Sequence, residues 1–220
     1  MRIPRLGAGS WLLAAPLFLA ANVITGLAWR HPRFSWATNN ISDLGNVTCG
    51  GWDTTRPREV CSPWHAVMNT AMITTGVLLA LGVLFTWSAL GRGAATTATR
   101  LLTLASAGGY ALAGAYPADV DENPHFLAAL LIFVLGNVGM VVAALARRSP
   151  VLGSMRAGSL ALGLTGLAGT ALFLAQVDLG FGIGGMERVA VFPLLAWTVL
   201  VAVRLLREAG RPGPHRYGAP

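Results

Sequence analysis

Six long apolar stretches, separated by polar connections, constrain the fold of this chain more than any other feature. Each is about long enough to cross ~30 Å of hydrocarbon as a helix, and together they cover residues 11–29, 64–88, 101–117, 125–146, 158–177 and 189–206. The sequence therefore predicts an all-α fold, a polytopic membrane protein built as a six-helix transmembrane bundle. An even number of crossings puts the N and C termini on the same side of the membrane.

The charged residues separate onto two faces when the connections are assigned alternately. One face carries Glu208 as its only acid, together with Arg2, Arg5, Arg92, Arg100, Arg147, Arg148, Arg156, Arg204, Arg207, Arg211 and Arg216. The other carries Arg30, Arg33, Arg56, Arg58 and Arg188 with the acids Asp43, Asp53, Glu59, Asp119, Asp121, Glu122, Asp178 and Glu187. By the positive-inside rule the first face is cytoplasmic. We expect a multi-pass protein of the cell membrane with both termini in the cytoplasm.

Composition limits the class of protein further. The 220 residues are 54% hydrophobic and 11% charged, which leaves too little polar surface for a soluble globule. We expect a single membrane domain over 1–220, with an extracytoplasmic cap segment (30–62) and a cytoplasmic tail (207–220). The net charge of +7 comes from short loops beside the crossings and from the tail, where topology and anionic lipids explain it. The sequence thus predicts contact with membrane lipids and no nucleic-acid partner.

The cap segment contains both cysteines of the chain, Cys49 and Cys61. A pair that faces an oxidising compartment favours a disulfide bond; the alternative is two unpaired thiols. The Asn, Gly, Asp and Pro residues of this segment favour turns over a long helix, and the run Asn40-Ile41-Ser42-Asp43 predicts a short helical turn. We expect an ordered cap that the disulfide holds together.

Four acids near the outer ends of the predicted helices are the candidate catalytic residues: Asp43, Asp119, Asp121 and Glu187. Ionisable groups beside hydrocarbon are costly unless they are paired, solvated or used in function. Desolvation raises the pKa of a carboxyl group, so that such a group can act as an acid near neutral pH. The residues expected to line or support a substrate pocket are Trp64, His65, Asn69, Tyr116, His125 and Arg188.

Each of these side chains also has a structural interpretation. His65 and His125 each follow a proline at a helix start, where an imidazole bonds to nearby backbone or carboxylate groups. The aromatic residues fit an interface belt, the acidic turn around Asp119 fits a solvated loop, and Arg188 is expected to pair with Asp43 or Asp119. The residues favour no cofactor; in the alternative, His65, His125 and Asp119 bind a divalent metal.

Three short motifs lie beside the predicted crossings: Ser42-Asp43-Leu44-Gly45, Gly114-x-x-Pro117-x-Asp119 with His125 following, and Gly185-x-Glu187-Arg188. In these motifs, and over most of its length, the chain resembles the bacterial integral membrane family catalogued as domain of unknown function 998. The resemblance implies a six-helix bundle and no established activity. The layout is more distantly similar to membrane ceramidase-like hydrolases, which place Ser, Asp and His around a metal, but this chain lacks their paired histidines in a terminal helix.

The leading hypothesis is an integral membrane enzyme that acts on a lipidic or isoprenoid substrate by carboxylate acid–base chemistry at the extracytoplasmic side. Its narrowest form is a cyclase that protonates an olefin or epoxide, since chain size and carboxylate use look like those of bacterial membrane-bound terpene cyclases. The first alternative is a metal-dependent lipid hydrolase that uses His65, His125 and an Asp, with water as nucleophile. The second is a non-enzymatic accessory or transport protein, although the crossings show no clear midplane ionisable residue and no evident inverted repeat.

Overall fold

The computed structural model describes residues 2–53 and 55–209, and helices make up most of that part of the chain. The long helices are α1 (Arg2–Ala28), α2 (His65–Thr86), α3 (Ala94–Ala115), α4 (Glu122–Ala143), α5 (Arg156–Leu174) and α6 (Ile183–Ala209). Short 3-10 turns cover Ser42–Gly45 and Leu152–Met155. The predicted all-α class is confirmed. The only sheet among the described residues is a two-stranded hairpin of β1 (Gly50–Trp52) and β2 (Arg58–Val60).

Five of these helices are long and apolar enough to cross a membrane: α1, α2, α4, α5 and α6. Their outward faces carry exposed large apolar side chains such as Leu13, Leu27, Leu84, Leu164 and Leu200. Many exposed large apolar side chains on the outward faces of long helices suit lipid rather than water. The chain is therefore a multi-pass membrane protein. Helix α3, the predicted sixth crossing, falls outside this set although it has 22 residues.

Helix α3 is less apolar because its first half carries threonines and an arginine that contact the interior of the bundle. Arg100 is only 4% exposed, and its guanidinium donates to the carbonyls of Trp87 and Gly91. The same group lies 4.7 Å from the centre of the Trp87 ring. Thr99 and Thr103 are buried as well, and the Thr99 hydroxyl donates to the carbonyl of Gly139 in α4 at 3.4 Å. The low hydropathy of α3 thus comes from side chains that tie it to its neighbours.

The helices are arranged as a ring in chain order. Each helix packs on the next one along the chain, and α6 closes the ring against α1. Trp11 of α1 and Trp197 of α6 meet across that closure with their ring centres 6.4 Å apart. The Trp11 indole N–H donates to the carbonyl of Leu79 at 3.1 Å, and that of Trp197 donates to the Ser159 hydroxyl at 2.9 Å. Buried donors paired in this way stabilise the contacts between different helices.

Several helices extend beyond the predicted apolar stretches. Helix α1 begins at Arg2 instead of residue 11, and α3 begins at Ala94 instead of residue 101. Helix α6 begins at Ile183, within the glycine-rich stretch 180–185, and ends at Ala209. The predicted tail therefore starts inside α6, and its residues 210–220 lie outside the described part of the chain. Hydropathy marks the part of a helix that suits hydrocarbon, whereas the hydrogen-bonded helix itself continues into the interface.

The cap segment (30–62) packs against the ends of α1, α2 and α6, and we call this end of the bundle the cap end. Strands β1 and β2 pair antiparallel with Gly50 opposite Val60. Cys49 and Cys61, next to that pair, form a disulfide, so the predicted bond is confirmed. The predicted short helical turn is confirmed too, at Ser42–Gly45.

Candidate functional site

A small cavity lies inside the bundle at the cap end, beneath the turn Ser42–Gly45. Its volume is about 30 Å³, room for two or three water molecules at roughly 10–15 Å³ each. Every helix except α5 contributes to the wall, which is lined by Phe18, Ile41, Ser42, Met72, Tyr110, Ala113, His125, Ala129, Ile132, Phe133, Glu187 and Val191. Two of the residues predicted from the sequence, Glu187 and His125, therefore meet at one cavity.

Among the described residues, Glu187 is the only acid in the wall of this cavity. It lies near the start of α6, is 5% exposed, and accepts a hydrogen bond at Oε2 from the backbone N–H of Ile41. No arginine or histidine side chain within the described ranges forms an ion pair with it. Burying a carboxyl group in such surroundings is costly, and ionisable groups kept inside a membrane bundle commonly mark functional sites.

Asp43 is fully buried, but its carboxylate is already engaged. Arg58 donates from Nε to Oδ2 at 2.8 Å and from Nη2 to Oδ1 at 2.6 Å, a bidentate pair. The backbone N–H of Asn40 adds a further bond to Oδ2 at 2.9 Å. Bidentate pairs fix geometry as well as contributing energy. Asp43 therefore holds the turn above the cavity and is not part of the cavity wall.

Arg58, the first residue of β2, also pairs with Asp53, which follows β1 in the same hairpin. The Nη1 of Arg58 lies 3.0 Å from the Oδ2 of Asp53. Burial raises the pKa of Asp53, but hydrogen bonds from Thr55, Arg58 and the local backbone outweigh it and lower the pKa to about 2. Burial likewise lowers the pKa of Arg58, while the hydrogen bonds and charges of the two carboxylates raise it above its ordinary value. One arginine and two aspartates thus form a charged cluster inside the cap segment.

Asp119 connects the cap segment to the loop between α3 and α4. Its Oδ2 accepts three hydrogen bonds: from the N–H of Val47 at 2.8 Å, the N–H of Thr48 at 2.7 Å and the Thr48 hydroxyl at 2.7 Å. Burial raises the pKa of Asp119, but these hydrogen bonds outweigh it and lower the pKa. Asp121 is exposed in the same loop, and neither acid lines the cavity.

His125 lines the cavity from the first turns of α4. Its Nδ1 lies 2.8 Å from the carbonyl oxygen of Tyr116, whose side chain is exposed. A carbonyl only accepts hydrogen bonds, so Nδ1 carries the proton, and in the neutral ring Nε2 keeps its lone pair. The backbone therefore holds this imidazole with one nitrogen able to accept a proton.

The predicted residues at the start of α2 lie outside the cavity wall. Trp64 is 49% exposed and His65 is half-buried. Asn69, one turn further along, donates from Nδ2 to the carbonyl of Gly45 at 2.8 Å and so holds the cap turn against α2. A Cβ at position 45 would overlap the side-chain amide of Asn69, so any other residue there would displace Asn69 from this position.

Arg188 follows Glu187 directly but does not line the cavity. Its Nη1 donates to the backbone carbonyl of Asn39 in the cap segment at 3.0 Å. The expected pairing of Arg188 with Asp43 or Asp119 is wrong. Arg58 binds the first of these carboxylates, and backbone N–H groups of the cap segment bind the second.

Tyr110 and Ser42 are polar wall residues that the sequence prediction missed. Tyr110 lies in the second half of α3, is fully buried, and its hydroxyl has no hydrogen-bond partner within the described residues. Phe18 packs edge-on against its ring with the centres 5.4 Å apart. A hydroxyl group inside an apolar helix indicates a candidate site residue, because the hydroxyl needs a hydrogen-bond partner. The sequence prediction missed Tyr110 because it considered only the helix ends.

Helix α4 contains a π-helical segment, Leu131–Gly136, that forms part of the wall. There the carbonyl of Phe133 accepts side-chain hydrogen bonds from Asn137 Nδ2 at 2.6 Å and from Thr170 Oγ1 at 3.2 Å. Ile132 and Phe133 of this segment line the cavity. Single π turns inside α-helices occur frequently at functional sites. The plain apolar run of this segment gave no sign of one.

No group of three or more His, Cys, Asp or Glu side chains within residues 2–53 and 55–209 is arranged to hold a metal ion. Of the three residues named for a metal, only His125 lines the cavity. Asp119 is bonded to the cap backbone, and His65 begins α2. The described part of the chain therefore brings no set of ligands together around one point.

Similarity to known proteins is found at the level of a family. No curated protein and no solved structure matches the chain significantly. A family model matches residues 12–204, a range that includes the cap segment and every wall residue of the cavity. The chain therefore belongs to the family described as "Protein of unknown function (DUF998)", as its three short motifs predicted.

Proposed function

We propose that the chain is an integral membrane enzyme in which Glu187 exchanges a proton with a lipidic or isoprenoid substrate. The observation that carries this proposal is the burial of the Glu187 carboxyl in a cavity whose other walls are mostly apolar or aromatic. Carboxyl groups shielded from water are the groups that enzymes use as general acids near neutral pH. A hydrophobic substrate is expected because the surrounding helices lie in a membrane.

In the narrowest form of the proposal, Glu187 transfers its proton to one carbon of an olefin or to an epoxide oxygen. In the olefin the neighbouring carbon becomes a cation as the double bond gives its electron pair to the new C–H bond; in the epoxide one C–O bond breaks, leaving a hydroxyl group and a cation on the carbon. A second double bond of the same substrate attacks the cation to close a ring. The aromatic rings of Phe18, Tyr110 and Phe133 line the wall. A cation–π interaction with one of them would stabilise this cation by about 0.5–2 kcal/mol. The final cation loses a proton, which we assign to Nε2 of His125. The net reaction is an isomerisation.

Substrate entry requires the cavity to enlarge. Pockets that bind drug-sized ligands measure about 300–1,000 Å³, many times the volume of this one. We propose that the structure is the closed form and that the turn Ser42–Gly45 moves away when substrate enters. Two hydrogen bonds hold that region on the helices, from the Ile41 N–H to Glu187 and from Asn69 to the carbonyl of Gly45.

We also propose that α3 is a sixth membrane crossing, that the cap end is extracytoplasmic, and that both termini are cytoplasmic. Three observations support this topology. Helix α3 packs between α2 and α4 as the other helices pack between their neighbours. Most of the arginines belong to the connections and termini of the other side, as the positive-inside rule requires of the cytoplasmic side. The Cys49–Cys61 disulfide belongs to an oxidising compartment.

The test of the reaction is the transfer of deuterium from solvent to carbon. The purified protein is incubated in D₂O with membrane lipids from the organism that carries the chain, and the lipids are analysed by mass spectrometry after back-exchange in H₂O. A general acid delivers a solvent deuteron to carbon, so we expect the wild type to form a lipid with carbon-bound deuterium. Glu187→Gln should lower that label at least about 100-fold, the lower end of what general acid catalysis contributes.

The matched control is Glu122→Gln, which changes an exposed carboxyl at the start of α4, also at the cap end. It should keep the label, and both variants should keep the melting temperature of the wild type to within a few degrees. A full label in Glu187→Gln would remove Glu187 from the chemistry. Protonation of an epoxide oxygen places the deuteron on oxygen, where back-exchange removes it, so that reaction would appear as an unlabelled isomer of a lipid. A wild type that forms neither a labelled lipid nor an isomerised one would refute an enzyme of this kind and favour the accessory or transport alternative.

A further inference from the structure

A second and larger cavity opens on the surface at the cap end of α1. Its volume is about 710 Å³, and its lining includes Trp29, Arg30, His31, Arg33, Phe34 and Trp36. Pockets for small ligands have volumes of this order and combine apolar walls with a few polar groups. Here the aromatic side chains supply the walls, and two arginines and a histidine supply the polar groups.

The two arginines face each other across a tight turn. Arg30 and Arg33 form an isolated antiparallel bridge, a pairing in which opposed Cβ atoms lie about 4.5–5.5 Å apart and like charges repel. Both side chains are exposed, and neither forms an ion pair with any acid of the described residues. Their positive charge is thus concentrated at one rim and is not neutralised within the described chain.

Further donors lie close to the same walls. The guanidinium of Arg188 lies 5.7 Å from the ring centre of Phe34 and 5.3 Å from that of Trp36. Its Nε and Nη2 are buried and have no acceptor within residues 2–53 and 55–209, and the same holds for the indole N–H of Trp29, which is 2% exposed. Buried donors left without acceptors are costly. Trp29 lines the cavity, so an acceptor oxygen of a ligand there would satisfy its indole N–H.

We propose that this cavity binds the phosphate group of a membrane lipid. Phosphate oxygens pair with guanidinium groups through short, charge-assisted and often bidentate hydrogen bonds. The cavity lies at the end of a membrane-crossing helix, among aromatic residues of the kind that sit at headgroup depth. Leu27, which lines the cavity, is 66% exposed and continues onto the exposed side chains of Ile24 and Val23, along which an acyl chain can lie.

The experiment measures dissociation constants by titration calorimetry of the full chain in a nonionic detergent. The probes are dioctanoyl phosphatidylglycerol, dioctanoylglycerol with the same tails and no phosphate, and glycerol 3-phosphate with no tails. We expect phosphatidylglycerol to bind saturably and the other two to bind at least about tenfold more weakly. The double variant Arg30→Gln/Arg33→Gln should bind phosphatidylglycerol at least about tenfold more weakly than the wild type, since hydrogen bonds to charged groups contribute on that scale.

The matched control is Arg92→Gln/Arg148→Gln, which removes the same charge from exposed arginines at the opposite end and should bind like the wild type. Equal binding of dioctanoylglycerol would refute a phosphate site, and equal binding of glycerol 3-phosphate would identify a site for a soluble phosphate. An equal loss of phosphatidylglycerol binding in both double variants would refute the site, because the loss would then follow from net charge alone. The outcome is independent of the proposed reaction, because neither Arg30 nor Arg33 lines the Glu187 cavity.

Discussion

Glu187 and Arg188 are neighbours near the start of α6, and they contact different parts of the molecule. Adjacent side chains on an α-helix point about 100° apart. Glu187 consequently lines the buried cavity, while Arg188 donates to the carbonyl of Asn39 and lies over two aromatic rings. One helical turn thus supplies an acid to the interior and a cation to the cap segment, and both contacts hold the cap segment on α6.

Asp53 gives the cap segment a pH-dependent stability. Folding lowers its pKa from 3.8 to about 2. A carboxyl whose pKa is lowered in the folded state stabilises the protein above the unfolded value, and this contribution is lost as the pH falls through the folded value. We expect the melting temperature in detergent to fall as the pH is lowered from 3.8 to about 2, and to fall less steeply for Asp53→Asn. Scanning fluorimetry over a pH series measures both slopes.

Glu59→Gln is the control for this pH series, because Glu59 is an exposed carboxyl in the same hairpin. It should reproduce the wild-type slope. If Asp53→Asn and the wild type gave the same slope, the hydrogen bonds from Thr55 and Arg58 would not stabilise the charged form of Asp53.

The sequence predicted part of the site at this scale. Glu187 and His125 do meet at one cavity, because ionisable groups at helix ends on one side of a bundle are brought together by its topology. Asp43 and Asp119 lie at the same end but accept hydrogen bonds from Arg58 and from cap backbone, partners that depend on how the cap segment folds. Which carboxylate lines the cavity and which binds to the cap segment instead thus depends on how irregular loops fold. The catalytic roles stay predictions.

At the scale of helices, hydropathy predicted where the helices lie in the sequence but not where each begins or where its hydrogen bonding is irregular. Five predicted stretches correspond to helices that can cross a membrane, because an apolar run of that length has few other stable states. The early start of α3 was not predicted, since its threonines and Arg100 look polar until their contacts are known. The π segment Leu131–Gly136 was not predicted either, because it depends on hydrogen bonds from two neighbouring side chains.

Helix α6 and the cap segment touch backbone to backbone at Gly184. A Cβ there would overlap the carbonyl of Asn39, and a backbone carbonyl cannot rotate away as a side chain would. We expect Gly184→Ala to lower the free energy of unfolding by about 1–3 kcal/mol, the range for overpacking. The melting temperature in detergent should fall by roughly 2–12 °C.

Gly158→Ala serves as the comparison, because a Cβ at this position of α5 meets no atom within 4 Å. Alanine is favoured over glycine inside a helix by about 0.5–1 kcal/mol, so this variant should melt at or above the wild-type temperature. An unchanged melting temperature for Gly184→Ala would show that the cap segment is not seated tightly on α6.

At the scale of the whole molecule, the topology can be tested at the two ends of α3. Val120 is exposed after the cap end of this helix, and Arg92 is exposed before its other end. We expect a membrane-impermeant maleimide to label Val120→Cys in intact cells and to label Arg92→Cys only after permeabilisation. Wild type should stay unlabelled, because both of its cysteines are in the disulfide.

Each other labelling pattern has a definite meaning. Labelling of both variants in intact cells, or of neither, would show that α3 does not cross the membrane. Labelling of Arg92→Cys alone would invert the topology and place the cap end in the cytoplasm. The disulfide and the distribution of arginines would then need a different explanation.

The π segment of α4 also makes the position of His125 depend on the number of residues in that segment. Each residue of a regular α-helix turns the side-chain direction by about 100°, so a deletion within Leu131–Gly136 would swing the preceding part of the helix by more than a quarter of a circle. His125 would then leave the wall, while Asn137 would keep its bond to the carbonyl of Ala190 in α6. A substitution in this segment is therefore less harmful than an insertion or deletion. Family members that share the chemistry should keep the number of residues between His125 and Asn137 even where the amino acids of the segment differ.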